Sequence, residues 1–231
     1  MALVEISGVT KRYGSKVALN EITLELEPGR IVGLLGPNGS GKTTLIKILA
    51  GILRQEEGEV RIDGHTIGAE TKSIVSYLPD VSYIHDSWKV KQVIAFFVDF
   101  YEDFRKEAAE QMLANLGIDV NAKYKTLSKG MKEKVQLVLV MSREAKLYLL
   151  DEPIAGVDPA SRDYILDTIL QNYSETATIL ISTHLISDIE NILEDVIFLN
   201  ESKVTLSSSV DEIRMKQGKS VDEYFREVYK C

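Results

Sequence analysis

Cysteine is almost missing from this chain: of 231 residues only one, Cys231, carries a thiol. A single thiol can form neither an intrachain disulfide framework nor a cysteine metal site, and it fits a reducing compartment. A prenylation box would need three residues after the cysteine, so none is expected. Long apolar runs are missing as well. No stretch approaches the ~18–20 residues of a bilayer-spanning helix. The start, Met1-Ala2-Leu3-Val4-Glu5, has no basic segment followed by an apolar one, so a signal peptide is not expected. Surplus positive charge is also absent. The formal net charge is −8 and the sequence pI about 5.1, which argues against broad affinity for nucleic acid or anionic lipid. The basic clusters, Lys123 with Lys125 and Lys129 with Lys132 and Lys134, are short and read as solvated faces. There is no internal repeat and no low-complexity segment. These absences predict a soluble, cytoplasmic chain, and its 45% hydrophobic content is enough for a substantial core. The length suits one large domain, or one domain with an inserted lobe.

Against that background one stretch stands out: Gly36-Pro37-Asn38-Gly39-Ser40-Gly41-Lys42-Thr43-Thr44. It fits G-x-x-x-x-G-K-[ST] and has the surroundings that pattern requires. The apolar run Ile31–Leu35 before it reads as a buried strand, and Leu45, Ile46, Ile48 and Leu49 follow at helical spacing up to Gly51. Glycines let successive N–H groups converge on one anion, and the helix N-terminus adds partial positive charge. Lys42 is then expected to reach the β- and γ-phosphates of a nucleoside triphosphate, and the Thr43 hydroxyl to ligate Mg²⁺.

The remaining chain reads as α/β with an interruption. Residues 2–8 and 21–27 alternate apolar with polar, as half-buried antiparallel strands do. Tyr13, near a glycine turn, reads by itself as a packed aromatic. Residues 59–62 lead into Asp63-Gly64, a hairpin signal, and residues 72–78 read as a strand ending at Pro79-Asp80. From 89 to 116 the apolar positions Val93, Phe96, Phe97, Phe100, Phe104, Ala108, Met112 and Leu116 recur at helical spacing, with Gly117 as terminator. That aromatic stripe is expected in a lobe core, the lobe spanning about residues 85–144. The α/β rhythm returns with Lys146–Leu150, a helix over 160–172, a strand over 178–182, a helix over 185–192 and strands at 196–199 and 204–206. The tail, 207–231, holds an amphipathic stretch with Val221, Tyr224, Phe225 and Val228. Residues 1–84 and 145–206 thus form the core of a single domain.

Three further places can carry chemistry. Asp151 and Glu152 end a buried strand, where the first suits Mg²⁺, directly or through water, and the second can orient or deprotonate an attacking water. His184, just past another strand, can hydrogen-bond a phosphate or a carboxylate, although a lone histidine at a strand end is more often structural. Ser128 before a helix starting near 130 is explained as an N-cap, and equally as part of an anion site with Gly130; periodicity does not choose.

Taken in order, these segments resemble the ATP-binding cassette (ABC) ATPase family along almost the whole chain to about residue 205. Gly36–Thr43 stands at the Walker A position, Leu147–Asp151 at Walker B, and Glu152 at the catalytic glutamate. Ser128-Lys129-Gly130-Met131 falls where the family carries its signature, Ala155-Gly156-Val157-Asp158 at the D-loop, His184 at the switch histidine and Tyr13 at the aromatic that stacks on adenine. The resemblance implies a P-loop NTPase core, mainly a parallel sheet flanked by helices, with an antiparallel β subdomain and an inserted all-helical lobe. It implies ATP and Mg²⁺ as cofactors. It also implies two cassettes packed head to tail around two ATP, so that Ser128 and Gly130 serve the partner's nucleotide, with Asp158 of the D-loop counted among the nucleotide-binding residues. Two departures stand out. Lys129 replaces a glycine, where it either adds charge to the phosphate or points to solvent. Asp80 replaces the Q-loop glutamine and, as an oxygen ligand, can still hold Mg²⁺.

Similar departures occur in the cassettes of bacterial exporters whose membrane subunits are separate chains. The resemblance therefore implies a peripheral ATPase at the inner face of the cell membrane. It would power transmembrane permease subunits through a groove beside the Asp80 loop, which Phe96, Phe97 or Tyr83 would line if core packing did not claim the two phenylalanines. A non-transport cassette acting on ribosomes or nucleic acid is the alternative, which the acidic balance disfavours. A P-loop kinase would leave Ser128–Met131, Asp158 and His184 unexplained.

Overall fold

The computed structural model describes residues 2–155 and 157–229; Gly156 and Cys231, both used above, lie outside them. The chain opens with β1 (Val4–Tyr13) and β2 (Lys16–Leu26), antiparallel and longer than residues 2–8 and 21–27 predict. The cause is irregular register. Pairing shifts between Ile6 and Val9, and again between Val9 and Arg12, so the two-residue alternation breaks while the strand continues.

After β3 (Ile31–Leu35) and α1 (Lys42–Leu49) come β4 (Glu57–Ile62) and β5 (His65–Thr66). They are joined at Asp63 and Gly64, whose positive φ values of 51° and 77° are those of the expected tight hairpin. Residues 72–78 are not one strand: α2 (Ala69–Ile74) takes the first three and β6 (Val75–Leu78) the rest. Thr71 Oγ1 accepts from the Gly68 N–H at 3.0 Å and donates to the Gly68 carbonyl at 3.1 Å, closing a local turn that apolar periodicity does not reveal.

Next follow α3 (Val90–Phe100), α4 (Lys106–Asn115) and α5 (Lys129–Met141), which share a core of their own through Val90, Val93, Phe97, Leu113, Val135 and Val138. The aromatic stripe of α3 divides between two faces. Phe97 is buried in that core, whereas Phe96 is 47% and Phe100 66% exposed. This corrects the expectation that Phe96 packs inside: α3 is apolar on two sides, and its outer pair stack on each other 5.7 Å apart.

The chain then completes β7 (Leu147–Asp151), α6 (Pro159–Asn172), β8 (Thr178–Thr183), α7 (Ile186–Ile189), β9 (Asp195–Asn200), β10 (Lys203–Ser209), α8 (Val210–Gln217) and α9 (Val221–Tyr229). The helix expected over 185–192 stops at 189; a turn there carries Leu193 into the core beside Ile186 and Ile189. In α9, Val221 and Phe225 are buried and Phe225 meets Phe198 edge-on at 5.2 Å.

Among the described residues two sheets form. One is antiparallel, in the order β2-β1-β4-β5; the other runs β10-β9-β3-β8-β7-β6, parallel except for its edge strand β10. Side chains alternate across the parallel sheet. Val32, Leu34, Leu149 and Leu180 face a core shared with the antiparallel sheet and α1, while Leu35, Leu150, Ile181 and Phe198 face one shared with α5, α6 and α9. Register places Leu34 beside Ser182 and Ser182 beside Asp151, so the C-terminal ends of β3, β8 and β7 share one edge. Ligands of open α/β sheets bind at such edges.

Candidate functional site

The loop that leaves β3 is shaped by close approach. A Cβ on Gly36 would stand 2.1 Å from the Leu199 carbonyl oxygen, and one on Gly41, at φ +113°, 2.4 Å from that of Ala18. Held between β9 and β2, the loop passes into α1, whose first N–H groups have no intrahelical partner and favour an anion. Ser40 Oγ is buried and has no hydrogen-bond partner among the described residues.

Lys42 begins α1 and is 5% exposed. Its Nζ donates to the carbonyls of Gly36 (2.8 Å) and Pro37 (3.3 Å), and Glu152 Oε1 lies 3.8 Å away. Burial holds the ammonium below its usual pKa, against the opposing pull of Glu152 and Asp151. Thr43 Oγ1 donates to Asp151 Oδ1 at 3.1 Å.

Asp151 is wholly buried at the end of β7. Its Oδ1 also accepts from Ser182 Oγ at 2.6 Å, while Oδ2 has no hydrogen-bond partner among the described residues. Burial raises this carboxyl's pKa. The Ser182 and Thr43 hydrogen bonds act the other way, and the charges of Asp80 and Glu152 add to the rise. An orphaned carboxylate oxygen beside a threonine hydroxyl is chemistry that suits a hard divalent cation. Among the described residues no three His, Cys, Asp or Glu side chains stand close enough to hold a metal alone, so further ligands must come from water or a bound phosphate.

Glu152 has φ +52°, a left-handed backbone that a non-glycine residue adopts at a cost of ~1–3 kcal/mol. Its N–H donates to Ser182, to both Oγ and the carbonyl at 3.1 Å. Glu152 Oε2 stands 2.9 Å from His184 Nδ1. The sequence left His184 with two kinds of partner or a structural place; here its neighbour is the carboxylate.

Over the loop opens a cavity of about 320 Å³ lined by Tyr13, Lys16, Ala18, Asn38, Gly39, Gly41, Lys42, Thr43, Thr44, Asp80 and Glu152. That volume lies within the range of small-molecule sites. Tyr13 is 51% exposed at its rim, so it is not the packed aromatic that its local sequence suggests. Ser128, Gly130 and Asp158 do not line this cavity. Ser128 caps α5 by accepting from Met131 N–H at 3.2 Å, and Lys129 turns outward to Glu133 at 3.8 Å. Asp158 precedes α6, its carbonyl accepting from Arg162 N–H at 3.0 Å. Sequence reasoning missed Ser182, Lys16 and Ala18. Ser182 had a faint signal, as a polar residue ending an apolar strand.

A larger groove of about 650 Å³ runs between the Asp80 loop and α3, lined by Lys47, Lys72, Tyr77, Val81, Tyr83, Phe96 and Phe100 among others. Asp80 lines both spaces.

A family model described as ABC transporter matches residues 19–155. The chain is 33% identical over 221 residues to an ABC transporter ATP-binding protein of Methanocaldococcus jannaschii, MJ1023, covering 93% of this chain and 80% of that one. It superposes on a structure described as the ATP-binding subunit of an ABC transporter with a TM-score of 0.88, 27% identity and coverage of 98% and 99%. It shares the fold of a dimeric, post-hydrolysis ATP-binding cassette, MJ0796, bound to ADP and Pi, at a TM-score of 0.78 and 22% identity over 89% of this chain and 98% of that one.

Proposed function

The chain belongs to the ABC transporter family as an ATP-binding subunit, and from that premise we propose that it hydrolyses ATP to power separate membrane subunits, in the direction of export. The observation that carries the hydrolytic reading is the Glu152–His184 pair, 2.9 Å apart and next to Lys42 and Thr43. Lys42 has one N–H left for a phosphate oxygen after its two carbonyl partners. Tyr13 offers an exposed ring for adenine. Asn38, Gly39, Ser40, Gly41 and Thr44 surround the phosphates. Thr43, Asp151 and Asp80 would hold Mg²⁺, which would supply charge neutralisation on the phosphates when bound. Glu152 orients a water and accepts its proton as the oxygen bonds to the γ-phosphorus and ADP departs; His184 keeps the carboxylate aimed. The products are ADP, phosphate and the released proton.

Two chains, we propose further, pair head to tail. Support comes from Ser128 and Gly130, which lie outside the chain's own cavity. A Cβ on Gly130 would meet nothing within 4 Å, so packing inside one chain does not call for glycine there. The dimeric state of the MJ0796 cassette agrees with this reading. The groove with exposed Phe96, Phe100, Val81 and Tyr83 is offered to a short helix of the membrane subunit, and α3–α5 form the lobe that presents it. Among the described residues no helix is long and apolar enough to cross a membrane, so membrane attachment runs through that partner. Export rests on the two departures at Lys129 and Asp80.

Glu152→Gln tests the reading. It should keep ATP binding, lose nearly all phosphate release and accumulate an ATP-bound dimer on size-exclusion chromatography. Turnover equal to the parent would remove Glu152 from the mechanism, and a phosphorylated acceptor in place of free phosphate would make the chain a kinase.

A further inference from the structure

Between α5 and the end of β7 lies a smaller cavity, of about 100 Å³, lined by Asp80, Glu133, Gln136, Asp151 and Glu152 among others. Three of these lining residues also carry an oxygen that is buried and has no hydrogen-bond partner among the described residues: Asp151 Oδ2, Gln136 Oε1 and Glu133 Oε2. Gln136 is only 4% exposed. It interrupts an otherwise apolar run, Val135–Met141, at a cost in desolvation that a leucine there would not carry.

All three oxygens are acceptors, and acceptors need a donor between them. Lys129 also lines the cavity, but its side chain is 77% exposed and its Nζ stands 3.8 Å from the other Glu133 oxygen, leaving the three oxygens without a bond from it. A water molecule carries two donors, can bridge a pair of oxygens, and needs only ~10–15 Å³ of such a space.

We infer that ordered water in this cavity ties Gln136 and Glu133 of α5 to the free oxygen of Asp151, which makes Gln136 a positioning residue for the metal-site carboxylate. The inference rests on the hydrolytic reading above. Ser182 and Thr43 hold Oδ1 of Asp151; the bridge uses one lone pair of Oδ2, leaves the other for a cation, and so fixes the rotation of the carboxylate. Because α5 starts at Ser128 and Gly130, any shift of that helix against a partner's nucleotide reaches Asp151 through the bridge.

Gln136→Met keeps length and volume and removes both polar atoms. The variant should lose about tenfold in kcat, as outer-shell partners of a metal site do, with KM within about twofold of the parent. Binding of a fluorescent ATP analogue in EDTA should be unchanged, and Tm should move little, because the lost water-mediated hydrogen bonds and the removed desolvation cost of the amide offset each other. Glu133→Met, at a partly exposed position, should give the same pattern and decides the matter if the first variant does not fold. A crystal structure of the parent chain gives a readout free of turnover: ordered water within hydrogen-bonding distance of both Gln136 Oε1 and Asp151 Oδ2. Parental kcat in both variants, or a dry and collapsed cavity, overturns the inference. A parent chain that releases no phosphate overturns the hydrolytic reading instead, and the water positions then decide the bridge alone.

Discussion

Asp151 is where stability and use pull apart. It is fully buried, and burial, the leading cause, lifts its pKa above the ordinary 3.8. The folded chain therefore holds this proton more tightly than the unfolded chain does. By linkage its contribution to stability is largest in acid and declines as pH rises from 3.8 through the raised value. Asp151→Asn keeps the shape and removes the charge. In the absence of nucleotide the variant should melt several degrees higher near neutral pH and should lack that decline, while turnover collapses; calorimetry across a pH series checks the first two and phosphate release the third. Lys42, Thr43 and Asp151 were legible because a motif fixes their covalent spacing and their chemistry together. Ser182 was not, because it reaches Asp151 and Glu152 only through strand register, 31 and 30 residues away along the chain.

Elements were legible where one period ruled. The wholly buried strands β3, β7 and β8 were read within a residue or two, since an apolar run bounded by turn residues has few other uses. Reading failed where two signals overlapped: the bulges of β1, the Thr71 turn ahead of β6, and α3, whose outer face is as aromatic as its inner one. Arg143 had no sequence signal at all, yet it joins three elements. It is 2% exposed and donates to Asp103 at 3.0 and 2.9 Å, to the Val75 carbonyl at 2.6 Å and to the Ser73 carbonyl, with its guanidinium 3.9 Å from the Tyr101 ring centroid. It thereby ties the start of β6 to the α3–α4 connection from the end of α5. Arg143→Ala should cost ~3 kcal/mol, because two carbonyls and a carboxylate lose their donor together. Chemical denaturation should show that loss, and Asp103→Ala should cost less.

For the whole molecule, fold class was readable from the order of motifs, while strand order was not: nothing local in Ile31–Leu35 says that it lies between β8 and β9. That placement gathers Lys42, Asp151, Glu152 and His184 at one sheet edge and leaves Ser128 and Gly130 outside the cavity they are proposed to serve in a second chain. The separation has a genetic consequence. Lys42→Met spoils a chain's own loop, and Ser128→Ala spoils only what it lends. Each variant alone should be inactive. Mixed, half of the pairs are hybrids in which both defects fall on one shared site and the other is intact, so roughly a quarter of the parental sites survive. Two dead proteins should therefore complement each other in a test tube, by phosphate release, to about that extent. Mixtures as silent as their parts would mean that each chain works alone, or that neither site turns over without the other.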